Sequence, residues 1–121
     1  MLRVIAGLFL VLHGGINAAI WIPPQRGAKL PSFGSQASWL FAGVRPAVVT
    51  LAIVAAGGFV ISGAAYLAQS PWWAPIGILA ATASLALIIA TFTPWWSGAI
   101  IINAVIICAA WDTTVAQLSG R

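Results

Sequence analysis

The chain has 121 residues, of which 62% are hydrophobic and only 5% are charged, and its mean hydropathy is +1.06. A water-facing surface needs roughly a quarter of its residues charged, and a small domain cannot bury an apolar fraction this large. Soluble, disordered and disulfide-stapled folds are therefore excluded, and a lipid bilayer remains as the solvent.

The charged residues are few and scattered. Five basic residues and one acidic residue give a formal charge of +4, and they lie at the edges of the apolar segments. Nucleic-acid binding needs a clustered basic surface that releases several counterions. We therefore expect no nucleic-acid partner, and we assign the basic side chains to contacts with membrane lipids.

Four apolar segments are long enough to cross about 30 Å of hydrocarbon as helices. Prolines or polar turn residues end the first three, and short turns join the second, third and fourth. Consecutive helices are therefore expected to be antiparallel neighbours. The predicted fold is an all-α integral membrane four-helix bundle, a single transmembrane domain over 1–121 with spans at about 2–22, 46–68, 73–92 and 95–111.

The first connection, over residues 23–45, is too long for a simple turn. Its second half mixes Trp39 and Phe41 with Ser35 and Gln36. A short helix in the headgroup region would bury the aromatic rings and leave the polar groups in water. We therefore predict an interfacial helix within this loop.

The seven tryptophans support this topology, because all of them fall at predicted membrane interfaces, as an aromatic belt requires. Four lie on the side of the first loop and three on the side of both termini: Trp21, Trp39, Trp95 and Trp96, then Trp72, Trp73 and Trp111. The basic residues divide three against two between these sides, so the positive-inside rule leaves the orientation open.

Polar side chains fall near the middle or in the inner turns of the spans: His13 and Asn17 in the first, Thr82 and Ser84 in the third, and Asn103 in the fourth. Polar groups in hydrocarbon are expensive without partners. One interpretation is a midplane pocket of His13, Asn17, Thr82 and Asn103 that binds the carbonyl or hydroxyl of a lipid-soluble ligand. The favoured interpretation is a set of interhelical hydrogen bonds that fix helix register, each contributing about 1 kcal/mol or less.

The single histidine admits a further interpretation. An intramembrane histidine beside two glycines suits ligation of haem or of a chlorophyll magnesium. With one histidine in the chain, bis-histidine ligation of haem requires a dimer. The cofactor therefore stays unknown at this point. No metal site is predicted, because Cys108 is the only cysteine and cannot form a cysteine-based metal cage.

Small residues predict where helices approach closely. Spacings of four between small residues allow backbone contact inside a membrane. The predicted helix-packing residues are Gly14, Gly15, Gly57, Gly58 and Ser62.

Catalysis is not expected, so we predict that the chain is not an enzyme. The single carboxylate, Asp112, lies at the end of the fourth span. No span offers a carboxylate to orient His13 or a serine in a recognisable nucleophile setting. The absence of a carboxylate within a predicted span also disfavours proton-coupled export, which needs a membrane-embedded carboxylate.

The opening of the chain resembles the DoxX-like four-span membrane proteins. Arg3, the Gly7–Phe9 stretch and Gly14 are similar to the start of that family, and the glycines of the second span (Gly57, Gly58 and Gly63) match its layout. The resemblance covers about the first 70 residues. It implies a membrane subunit associated with quinone or thiol redox chemistry.

The predicted function is that of a non-catalytic accessory or structural subunit of a larger membrane complex. It would pack against helices of other membrane subunits and against lipid, in the bacterial inner membrane. The alternatives are a binder of a quinone, carotenoid or lipid at the midplane polar pocket, and a DoxX-like redox-associated subunit.

Overall fold

The computed structural model describes residues 1–22, 45–91 and 96–120, which form four helices without a strand in these ranges. The helices are α1 (Leu2–Trp21), α2 (Arg45–Leu67), α3 (Trp73–Ala90) and α4 (Ser97–Leu118). Each is long and apolar enough to cross a membrane. The all-α class and four candidate membrane-spanning helices are confirmed. The predicted interfacial helix lies outside the described residues.

The helix ends show where sequence and structure differ. α2 begins at Arg45 and has Pro46 in its first turn, where the missing N–H needs no helical partner. α4 begins at Ser97 and continues past Trp111 to Leu118, so the helix ends later than the predicted span over 95–111. Hydropathy falls at Asp112, but no proline or glycine interrupts the helix there, so its backbone hydrogen bonds extend beyond the apolar run.

The turn between α2 and α3 has a defined geometry. Gln69 adopts a left-handed conformation with φ +58°. The N–H of Ser70 donates to the Ala65 carbonyl, and the N–H of Gln69 donates to the Tyr66 carbonyl. This is the Schellman arrangement that closes a helix C-terminus, with glutamine at the position that glycine usually occupies.

Glycines bring α1 and α2 into backbone contact. A Cβ added at Gly14 would lie 2.7 Å from the Ala56 carbonyl oxygen, and one added at Gly63 would lie 2.7 Å from the Gly7 oxygen. Gly7 on α1 therefore faces Gly63 late in α2, and Gly14 faces the earlier Ala56. The two helices run antiparallel at a distance that only small residues permit.

The α2–α3 contact uses the same principle. A Cβ at Gly58 would lie 2.8 Å from Ala80 Cβ. Ser62 Oγ donates a hydrogen bond of 2.8 Å to the Trp73 carbonyl, and Gly77 leaves room for that hydroxyl. Gly58 faces Ala80, whereas Ser62, later in α2, contacts Trp73 at the start of α3. These helices are therefore also antiparallel.

The bundle has a loop end and a terminal end. The loop end holds Trp21, Val48 and Leu87 in one buried cluster, with Trp96 packed against it. The terminal end holds Arg3, Gln69 and Gln117. Trp21 is only 2% exposed and its ring lies 5.8 Å from that of Trp96, so it is covered by protein and does not form part of an exposed belt.

The remaining tryptophans divide as predicted where the structure describes them. Trp72 and Trp111 are exposed, at 68% and 59%, on the side of the terminal end. Trp73 lies there too, and contacts the Tyr66 ring edge-on at 4.8 Å. Trp39 and Trp95 lie outside the described residues.

α4 is the least enclosed helix. It packs mainly against α3, and among the described residues α1 and α4 make no extensive contact with each other. Only 11% of its apolar span is buried, against 44% for α3. A crevice therefore separates α1 from α4 over part of their length.

Two adjacent glycines test the packing of α1 on α2. We expect Gly14→Leu to lower the free energy of unfolding by about 1–3 kcal/mol, because the new side chain meets the α2 backbone. Gly15→Leu is the matched control, since a Cβ there meets nothing within 4 Å, and it should leave stability equal or slightly higher. Unfolding in mixed micelles, followed by circular dichroism, measures both. Equal losses in the two variants would contradict this packing.

Candidate functional site

A polar network joins three helices at the centre of the bundle. Asn103 Nδ2 on α4 donates to Ser84 Oγ on α3 at 3.1 Å, and Ser84 Oγ donates to Asn17 Oδ1 on α1 at 3.3 Å. The serine hydroxyl therefore accepts one hydrogen bond and donates another. The three residues form a continuous chain from α4 to α1.

Each asparagine is also tied to its own helix. Asn17 Nδ2 donates to the His13 carbonyl at 3.0 Å, and Asn103 Nδ2 donates to the Ala99 carbonyl at 2.9 Å. These are bonds to the residue four positions earlier, where a helix places a side chain and a carbonyl on one face. Such bonds hold the amides in fixed orientations, which suits a register-fixing role.

His13 lies at the edge of this network and is 8% exposed. Its ring stacks on Phe9 at 5.8 Å and meets the edge of Phe59 at 4.7 Å. The imidazole also lies next to the Asn103 side chain. His13 Nε2 and Asn103 Oδ1 are both buried without a hydrogen-bond partner. A protonated Nε2 can donate and Oδ1 can accept, so the two unpaired atoms are chemically complementary.

The space beside the network is small. The void that His13, Asn17 and Ser84 share with the loop end has a volume of about 30 Å³. That is about the volume of one water molecule. It is too small for a lipid-soluble ligand or a macrocycle, so the structure offers no room at the polar cluster for the haem or chlorophyll considered from the sequence.

The structure brings together three of the four predicted ligand-binding residues: His13, Asn17 and Asn103. Thr82, the fourth, is exposed on the outer face of α3. Ser84, two residues later, is 1% exposed and provides the link between α1 and α4. Thr82 is therefore not part of the cluster, because the α3 face toward α1 and α4 carries Ser84 instead.

The predicted helix-packing residues divide as well. Gly14, Gly58 and Ser62 lie at helix contacts, whereas Gly15 and Gly57 have open space where a Cβ would be. Successive residues point about 100° apart on a helix, so two adjacent glycines cannot both face one neighbour. The described contacts also include Gly63, which belongs to the same small-residue stretch of α2, and Gly7, for which no packing role was predicted.

Two cavities larger than the void beside the polar network lie toward the terminal end. An apolar crevice of about 210 Å³ opens between α1 and α4, lined by Ala6, Phe9, Leu10, Tyr66, Trp73, Val105, Ile106 and Ala109. A second pocket of about 300 Å³ lies beside it at the membrane edge and includes Arg3, Gln69, Ser70 and Gln117. Tyr66 and Trp73 line both, so the two spaces are adjacent.

This site was not predicted from the sequence. Its residues are scattered along the chain, and most of them are ordinary apolar residues of a span. The available signal was Arg3 at the start of the first predicted span, Gln69 just after the second and Gln117 beyond the fourth, which the bundle topology brings to one side.

Comparisons with family models, with curated proteins and with solved structures found no match. The resemblance to the DoxX-like proteins therefore stays a prediction of the sequence. The geometry of the described residues alone carries the proposals below.

Two neighbouring residues of α3 test the polar network. We expect Ser84→Ala to destabilise the protein by about 1 kcal/mol, because it leaves Asn17 Oδ1 without a donor and breaks the link to Asn103. Thr82→Ala, on the outer face, should change stability by less than about 0.5 kcal/mol. Denaturation in mixed micelles gives both values. A Thr82→Ala loss as large as that of Ser84→Ala would show that the hydrogen-bond chain is not stabilising.

Proposed function

We propose that this chain is a non-catalytic membrane subunit that packs α4 against helices of another membrane protein, with lipid around the remaining faces. The observation that carries the proposal is a pair of exposed small residues on α4, the helix whose apolar span has the smallest buried share among the four described. Low burial alone requires no protein partner in a membrane, because lipid covers an apolar face equally well, so the shape of the face must provide the attraction.

The outer face of α4 has a shape that suits a second helix. Ala104 and Cys108 lie one turn apart and are both exposed. Ile101 on the same face is 66% exposed. Two small residues spaced by four, beside larger apolar ones, allow close helix contact and good dispersion packing.

The polar cluster supports a structural role rather than chemistry. Its hydrogen bonds are used to hold α1, α3 and α4 in register. The space beside it admits about one water molecule. A ligand-binding function at the midplane thus has no specific geometric support. The redox association stays a prediction of the DoxX-like resemblance.

The proposed location is the inner membrane of a bacterium. In a bilayer every backbone polar group must be paired internally, and helices achieve this within one segment. Outer membranes of bacteria hold β-barrels instead. Four apolar helices therefore favour the inner membrane.

Photo-crosslinking from two exposed positions tests the proposal. Ile101 on α4 is 66% exposed and Ile53 on α2 is 55% exposed. We expect a photoreactive phenylalanine at Ile101, installed in living cells, to give one discrete protein adduct. The same group at Ile53 is the matched control and should give none, because α2 presents a face assigned to lipid.

The mass of the protein in a mild detergent provides the second measurement. We expect a complex larger than the monomer that dissociates in harsher detergent. A monomeric mass combined with lipid adducts alone at Ile101 would contradict the proposed role of α4.

A further inference from the structure

A cation, Arg3, lines the pocket at the terminal end. No ion pair joins Arg3 to any residue of the described ranges. The chain has one acidic residue, Asp112, which does not line the pocket. An arginine at the membrane edge is the usual binding group for a carboxylate or a phosphate, since its guanidinium offers several donors in one plane.

Two amides complete the polar part of this pocket. Gln69 and Gln117 line it from the end of α2 and from α4. Gln69 occupies the left-handed position of the turn, where glycine would be less strained. A glutamine at this position adds an amide to the pocket that Arg3 also lines. Arginine and glutamine donors around one space favour an acceptor-rich, negatively charged head group.

The apolar crevice lies beside this polar pocket and extends toward the membrane centre. Its α1 side runs inward to Leu10, about 10 Å from Arg3 at 1.5 Å per residue. Its lining is apolar except for the ring edges of Tyr66 and Trp73. A ligand with its polar head at Arg3 therefore has space for a hydrocarbon chain that extends along α1 toward Leu10.

The volume of the crevice distinguishes one chain from two. An apolar cavity of about 150 Å³ binds one benzene, so about 210 Å³ accepts roughly eight carbon atoms on the same scale. That is the buried part of a single chain. A second chain of a diacyl lipid would have no place between α1 and α4.

We propose that the terminal end of the bundle binds a single-chain anionic amphiphile, with its carboxylate or phosphate head on Arg3, Gln69 and Gln117 and its chain in the α1–α4 crevice. The site is separate from the polar network and from the outer face of α4. The proposal therefore does not depend on the proposed subunit role, and the two fail independently.

Titration of the purified protein by native mass spectrometry, in a neutral maltoside detergent, tests the head group. The probes are decanoate, decyl phosphate and the uncharged decanol. We expect both anions to bind at least about tenfold more tightly than decanol, the ratio that one charge-assisted hydrogen bond supplies. The two anions distinguish a fatty acid from a lysophospholipid source. Decanol binding as tightly as the anions would overturn the proposal.

Charge variants locate the head. Arg3→Gln should weaken decanoate binding about tenfold, and Arg3→Lys should keep most of it, since the charge remains. Arg45→Gln is the matched control, because it removes the same charge from the loop end, and it should leave the affinity within about twofold. An equal loss in Arg3→Gln and Arg45→Gln would mean that net charge alone attracts the anion, and would overturn the site.

Substitutions that fill the crevice test where the hydrocarbon chain of the ligand binds. Ala109 lines the crevice, and Ala109→Leu should reduce decanoate binding several-fold by filling it. Ala104→Leu adds the same volume on the outer face of α4 and should have no effect.

Dioleoyl phosphatidic acid provides the two-chain comparison. Displacement of decanoate by this lipid at equal concentration would overturn the single-chain assignment. If any variant fails to fold, the comparison of anions with decanol in the unmodified protein still decides the proposal.

Discussion

The close approach of helix backbones through glycine and alanine is the constraint on which the rest of this structure depends. Inside hydrocarbon, apolar side chains gain nothing by leaving lipid for protein, so helices associate through packing and hydrogen bonds. Gly14 and Gly63 hold α2 against α1, and Gly58 holds α3 against α2. α4 lacks such a contact with α1, which is why the crevice opens between them.

The polar network compensates for that missing contact. Asn17, Ser84 and Asn103 join α1, α3 and α4 at the point where α1 and α4 would otherwise separate. These side chains hydrogen-bond to each other, and the void beside them is small. The centre of the bundle therefore has little space for a ligand. Both proposed binding sites therefore lie elsewhere: at the terminal end, where Arg3 lies near the apolar crevice, and on the outer face of α4, where the small residues Ala104 and Cys108 are exposed.

Much of the fold was accessible from the sequence, because span length and hydropathy are strong signals. The end of α4 was not, since polar residues such as Asp112 mark the edge of hydrocarbon rather than the end of a helix. His13, Asn17 and Asn103 were predicted as members of one cluster, because a polar side chain without a partner is unfavourable in lipid. The choice of Thr82 over Ser84 failed because it depends on the rotation of α3, which its nearly uniform apolar surface does not reveal. The site at Arg3 requires helices to be placed beside each other, which span prediction alone does not provide.

Single cysteines at helix ends test the central claim, that the chain crosses a bilayer four times with α2 and α4 ending on one side. In a Cys108→Ser background, Ala68→Cys, Ser119→Cys and Ala47→Cys are treated with a membrane-impermeant maleimide, in sealed vesicles of each orientation. We expect the cysteines at 68 and 119 to react from one side and the cysteine at 47 from the other. Reaction of 68 and 119 from opposite sides would contradict the four-span account.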